Sequence, residues 1–229
     1  MAEKRIREQA DSLGPAGALV LASASPRRRQ LLALLGLPFQ VVAAIVDETV
    51  RPTESSHQLA RRLAASKALA ASGARTERLV LAADSVVVLD GQILGKPADR
   101  HEARKMLRAL RGRSHRVFSG LALATDGRLV WHAAVESVVE MRGYEDAELE
   151  RYVASGRPLD KAGAYGVQDP DFRPAARVNG CYPNVVGLPL CEVARGLRAL
   201  GLGPTGPSNE ALAPPCPLCE RARNASLPS

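Results

Sequence analysis

The chain has 229 residues, 46% of them hydrophobic, which is enough for one sizeable α/β domain or two small lobes with a real core and excludes a disordered protein. Lys and Arg outnumber Asp and Glu by 31 to 24, and the resulting net charge of +7 is spread along the chain without a long basic block, which suits an anionic ligand. Only 3% of the residues are aromatic, so stacking platforms for single-stranded nucleic acid are scarce and a compact phosphorylated ligand is favoured over a polymer.

Residues 1–17 read as a charged N-terminal extension. It carries no apolar signal core, and no apolar run reaches the length of about 18 residues that spans a bilayer. A cytoplasmic protein without a membrane partner is therefore expected, with Cys181, Cys191, Cys216 and Cys219 reduced. A strand over residues 18–22 feeds a helix over 26–35, with Ser25 as cap and Pro26 at the first position, where a missing N–H costs nothing. Arg27, Arg28 and Arg29 crowd the first turn of that helix, the end at which the macrodipole disfavours positive charge. Free amides, a hydroxyl and forked guanidiniums at one point are what a polyphosphate requires; the plain alternative is a solvated basic turn.

Further strands are predicted over 39–46, 79–89, 116–124 and 129–141, and further helices over 56–72, 99–110, 144–155 and 191–200. Asp90-Gly91 and Asp126-Gly127 each separate two apolar runs and read as tight hairpin turns, so the sheet is mixed. Residues 18–202 form the folded domain, and 203–229 read as a Pro/Ser-rich flexible tail. Within that tail Cys216-Pro217-Leu218-Cys219 is half of a zinc knuckle with no second pair, leaving metal binding across a dimer or no role at all.

Several polar residues resist a packing explanation. Asp84 interrupts Leu79 to Val88, a run so apolar that it predicts a central strand buried on both faces. A carboxylate there needs a metal, a cation or a catalytic task, because an isolated buried charge costs several kcal/mol; an ion pair with a neighbouring Lys or Arg is the plain alternative. Asp47-Glu48 ends the second strand, Lys67 lies within an alanine-rich helix, and Lys96 and Lys161 sit in glycine-containing loops from which a side chain can reach phosphate.

Taken in order, Ser23-x-Ser25-Pro26-Arg27-Arg28, Asp47-Glu48, Lys67-Ala68, Ala83-Asp84-Ser85-Val86-Val87, Gly95-Lys96-Pro97, Asp160 to Gln168 and Val186-Gly187-Leu188-Pro189 resemble the motifs of the Maf nucleotide pyrophosphatases over about residues 18–200. The resemblance implies an α/β fold of the Maf/ITPase-like kind: two lobes, a mixed twisted sheet flanked by helices and a central cleft. It also implies a homodimer and the hydrolysis of a nucleoside triphosphate to monophosphate and pyrophosphate with a divalent cation, Mg²⁺ or Mn²⁺. No Gly-x-x-x-x-Gly-Lys-Ser/Thr loop supports γ-phosphate transfer.

Ser25, Arg27, Lys67, Lys96 and Lys161 are the expected phosphate-binding residues, and Glu48 and Asp84 the expected metal ligands, with Asp84 also the proton acceptor. In the family, base choice follows the positions of Arg28, Ser85 and Gln168, which here look like the subgroup acting on dTTP and UTP. A glutamine amide offers donor and acceptor to the O4 and N3–H edge of uracil or thymine. Ser85 stands where that subgroup usually has threonine, keeping the hydroxyl and losing a methyl. The alternatives are a 7-methyl-GTP pyrophosphatase, or a regulator of septum formation or division associated with nucleic acid, for which only the basic charge speaks.

Overall fold

The long apolar run Leu79–Leu89 is the strand around which the other elements assemble. The computed structural model describes residues 19–73 and 78–202, so the N-terminal extension, the tail and its Cys216/Cys219 pair lie outside the described residues. The strands are β1 (Leu19–Ala22), β2 (Phe39–Val42), β3 (Leu79–Leu89), β4 (Gln92–Leu94), β5 (Ser114–Thr125), β6 (Arg128–Met141) and β7 (Ala175–Gly180). The helices are α1 (Pro26–Ala33), α2 (Ser56–Ser72), α3 (Arg100–Leu110), α4 (Asp146–Ala154), α5 (Tyr182–Val186) and α6 (Leu190–Ala199), with short 3-10 turns at Arg157–Asp160 and Ala162–Ala164. They build one mixed sheet in the order β2-β1-β3-β5-β6-β7, with β4 added to β3.

β1 runs parallel to β2 and β3, while β3, β5, β6 and β7 are mutually antiparallel neighbours. Both Asp-Gly pairs form the expected tight turns, with φ of 50° and 80° at Asp90 and Gly91 and 49° and 69° at Asp126 and Gly127. The second strand, expected to reach residue 46, stops at Val42, because its partner β1 ends at Ala22 and leaves nothing beyond to pair with. β4 was implied only by the hairpin turn before it, and β7 and α5 were not expected. β7 carries Arg177 and Asn179 without an apolar alternation and owes its existence to backbone pairing with β6.

Along β3 the core changes hands. On one face Leu79, Leu81 and Ala83 pack with α1 and α6, and Val87 and Leu89 pack with α3 and α4. On the other face Val80 and Ala82 meet Ala64, Ala68 and Ala71 of α2, whereas Val86 and Val88 meet Leu59 and Leu63. Asp84 and Ser85 fall between the two halves, one on each face, and their β5 partners Gly120 and Ser119 do the same. Apolar packing is thus interrupted along one line across the sheet, and the cleft opens there.

The expectation of four reduced thiols is corrected at Cys191, which is disulfide-bonded. Spacing along the chain did not disclose this, because a disulfide depends on two sulfurs meeting in the folded chain. No helix among the described residues is long and apolar enough to cross a membrane.

Two packing features lead to measurable expectations. α2 crosses β5 so closely that a Cβ on Gly120 would sit 2.1 Å from the Ala60 carbonyl oxygen. Gly120→Ala is therefore expected to cost about 3 kcal/mol or more through overpacking, lowering Tm by about 6–12 °C in thermal unfolding. An unchanged Tm would mean that the helix does not press on the sheet. Near the start of β5, His115 is 2% exposed and its Nε2 lies 2.7 Å from the Tyr165 hydroxyl. Burial pushes the imidazole down to about 4 from its ordinary 6.5. The unfolded chain then binds the extra proton, so the contribution is complete above pH 6.5 and is lost as pH falls toward 4. Between pH 6.5 and about pH 5 the wild type should lose about 2 kcal/mol from this group and His115→Gln correspondingly less, read from urea midpoints. Equal losses in both proteins would acquit the histidine.

Candidate active site

The cleft has a volume of about 800 Å³ and is lined by every one of the ten residues singled out from sequence: Ser25, Arg27, Arg28, Glu48, Lys67, Asp84, Ser85, Lys96, Lys161 and Gln168. It lies at a gap in the sheet edge. β1 pairs with β3 only as far as Leu81 and β4 only from Val87, so among the described residues the intervening edge of β3 has no strand beside it. That leaves backbone polar groups to be satisfied by side chains or ligand.

Arg28 meets part of that demand. Its guanidinium donates from Nη1 to the Ala83 carbonyl at 2.6 Å, from Nε to the Gly187 carbonyl at 2.8 Å and from Nη2 to Ser85 Oγ at 3.1 Å. Burial lowers its pKa and the charge of Asp84 opposes that shift. The first-turn arginines thus separate in role. Ser25 caps α1 as expected, its hydroxyl accepting from the Arg28 N–H at 3.4 Å. Arg27 reaches across the cleft mouth to Asp160 Oδ2 at 3.0 Å, and Arg29 is exposed outside it. Asp160 also accepts from Lys161 Nζ at 2.6 Å, so one carboxylate holds two cations from opposite sides of the cleft. Lys96 lies in the exposed loop beyond β4, and Gln168 also lines the cleft.

On the other face of β3 stands a cluster of three charges. Lys67 projects from α2 with its ammonium 2.6 Å from Glu48 Oε1 and in an ion pair with Asp84 Oδ1. The Lys67 and Asp84 side chains are only 12% and 13% exposed, so this pair is weakly screened, unlike the 62% exposed Glu48. Asp47, next to Glu48, does something else: its carboxylate accepts from the Thr49 N–H at 2.9 Å, closing a turn, and that bonding holds its pKa below the usual range.

Glu48 and Asp84 converge on one cationic point, already held by an ammonium, and offer hard oxygen donors of the kind Mg²⁺ or Mn²⁺ takes. No group of three or more His, Cys, Asp or Glu side chains gathers for a metal among the described residues. Two carboxylates alone suit a cation that draws its remaining ligands from phosphate and water.

Sequence reasoning missed three contributors. Asp160 and Gly187 were quoted within motifs but given no task, and a loop carboxylate or carbonyl has no distinguishing local signal. Ser119 was detectable, being a polar residue inside the buried run of β5 in the way that Asp84 interrupts β3.

The family model of Maf-like proteins matches residues 18–200. A protein of Thermomicrobium roseum named dTTP/UTP pyrophosphatase is 48% identical over 206 residues, 89% of this chain and 94% of its own. One of the same name from Geobacter sulfurreducens is 47% identical over 188 residues, covering 81% of this chain and 97% of its own. A solved nucleoside-triphosphatase / dITP/XTP pyrophosphatase from Mycobacterium abscessus aligns with 80% of this chain and 95% of its own at a TM-score of 0.37 and 16% identity. Motif order, cleft and a family match over most of the chain lead to one conclusion: the chain belongs to the Maf family.

Proposed function

We propose that this protein is a pyrophosphatase acting on dTTP and UTP, or on modified pyrimidine nucleotides of that kind, releasing the monophosphate and pyrophosphate. The observation that carries the reading is the meeting of the phosphate-handling set and the base-selecting set in one cleft. The names of its relatives support it. A cytoplasmic setting and a homodimer belong to the same reading.

The triphosphate would replace Asp160 as the partner of Arg27 and Lys161, with Lys96 and the Ser25 end of α1 completing the cationic cradle. A water oxygen bonds to the innermost phosphorus, its proton passes to the Asp84 carboxylate, and the bond to the bridging oxygen breaks. The negative charge leaves with pyrophosphate, where the cationic side chains stabilise it. Glu48 and Asp84 would hold Mg²⁺ or Mn²⁺, which supplies charge neutralisation at the phosphates when bound. Arg28, Ser85 and Gln168 select the base.

Pyrophosphate release measured across common and modified nucleotides, with Mg²⁺ and with Mn²⁺, tests the reading. The expected result is a clear preference for dTTP and UTP; preference for 7-methyl-GTP, or release of orthophosphate alone, rejects it. Asp84→Asn should bind nucleotide yet lose about 10²–10⁴-fold in kcat, the usual worth of a positioned general base. Undiminished turnover would remove Asp84 from the chemistry.

A further inference from the structure

Ser119 is fully buried, and its polar contacts lead to the base-selecting corner. It sits directly across from Ser85 in the β3/β5 ladder, on the line where the two halves of the core part. Its Oγ lies 2.8 Å from Ser85 Oγ and 3.5 Å from the Asn184 carbonyl oxygen. The helix carrying that carbonyl is itself pinned: Asn184 Nδ2 donates to the Val117 carbonyl at 3.1 Å and to Ser137 Oγ at 2.9 Å. Its far end, Gly187, holds the Arg28 guanidinium.

Proton counting fixes one step of this chain. A guanidinium can only donate, so Ser85 Oγ accepts from Arg28. Ser119 has one proton and two neighbouring acceptors. The contact with Ser85 has ordinary O–H···O length and either hydroxyl can be its donor, whereas Ser119 donates to the Asn184 carbonyl only over the longer distance. With Ser119 as the donor in the short contact, both directions into the protein are occupied at the Ser85 oxygen, which also accepts from Arg28, and its own hydrogen is left for the cleft that Ser85 lines.

We propose that Ser119 is a positioning residue for base selection: it donates to Ser85 and so turns the Ser85 hydroxyl hydrogen toward the ligand, and the cleft presents a fixed donor to a carbonyl oxygen on the base. Uracil and thymine carry such an oxygen at position 4, where cytosine carries an amino group that cannot accept. This rests on the pyrimidine reading above and names the atom through which it works. Base selection then depends on a serine that never touches the nucleotide.

The test is a double-mutant cycle on the full chain, with kcat/KM for UTP and CTP measured in wild type, Ser85→Ala, Ser119→Ala and the double variant, each checked for folding by its melting curve. Ser119→Ala should lower the UTP:CTP ratio about five- to tenfold, the worth of one oriented hydrogen bond. In the Ser85→Ala background it should lower it no further, since a residue acting through another has nothing left to act on. Ser119→Cys, with a weaker donor, should fall between wild type and Ser119→Ala. An unchanged ratio in Ser119→Ala, or independent and additive losses, overturns the assignment while leaving the pyrimidine reading intact. A wild-type enzyme indifferent to UTP and CTP overturns both.

Discussion

A buried guanidinium holds this molecule's cleft together. Arg28 starts on a helix N-terminus, where its charge is unwelcome, and is desolvated by the fold around it. It persists because two backbone carbonyls and a hydroxyl accept its protons, and because Asp84 is near enough to favour the charge. Those acceptors belong to β3, to its residue Ser85 and to the end of α5. One side chain therefore ties the first βα unit to the middle strand and to the C-terminal helices. The Ala83 carbonyl is an edge group that a longer β1 would have paired, so the same gap in the sheet opens the site and creates the demand that fixes the arginine.

The period of two along β3 then divides the labour. Asp84 points to the α2 face, where Lys67 and Glu48 wait; Ser85 points to the α1 and α5 face, where Arg28 and Ser119 wait. A strand reverses its side chains at each residue, so adjacent positions serve two surfaces that share a backbone but few contacts. The proposed chemistry at Asp84 and the proposed selection at Ser85 thus lie on opposite faces, joined by the backbone and by the charge of Asp84 acting on Arg28. The single cleft sees both because the apolar packing of each face parts at the same two residues.

The cations at the mouth are arranged with a similar economy. Arg27 and Lys161 come from elements far apart in the chain and meet at the Asp160 carboxylate. They are thereby held at a spacing that the two oxygens of one carboxylate bridge. In the proposed reaction, phosphate oxygens would take the place of that carboxylate.

The amino-acid sequence by itself determined the parts whose signals are local. Ser25-Pro26 marked a helix start, the two Asp-Gly pairs marked hairpins, the continuous apolar run marked a central strand, and a carboxylate within that run marked the site. What the tertiary structure decided depends on neighbours remote in sequence. β2 ended early because β1 did, β7 formed because β6 offered an edge, and Cys191 joined another sulfur. Three consecutive arginines looked alike until the fold turned Arg28 inward, Arg27 across the mouth and Arg29 out to solvent. Asp47 and Glu48 were likewise separated, one to close a turn and the other to face Lys67. Local propensity specifies which element a residue joins, but the direction and partner of a polar side chain are set by where hydrogen-bonding and charge are left uncompensated once the elements have packed.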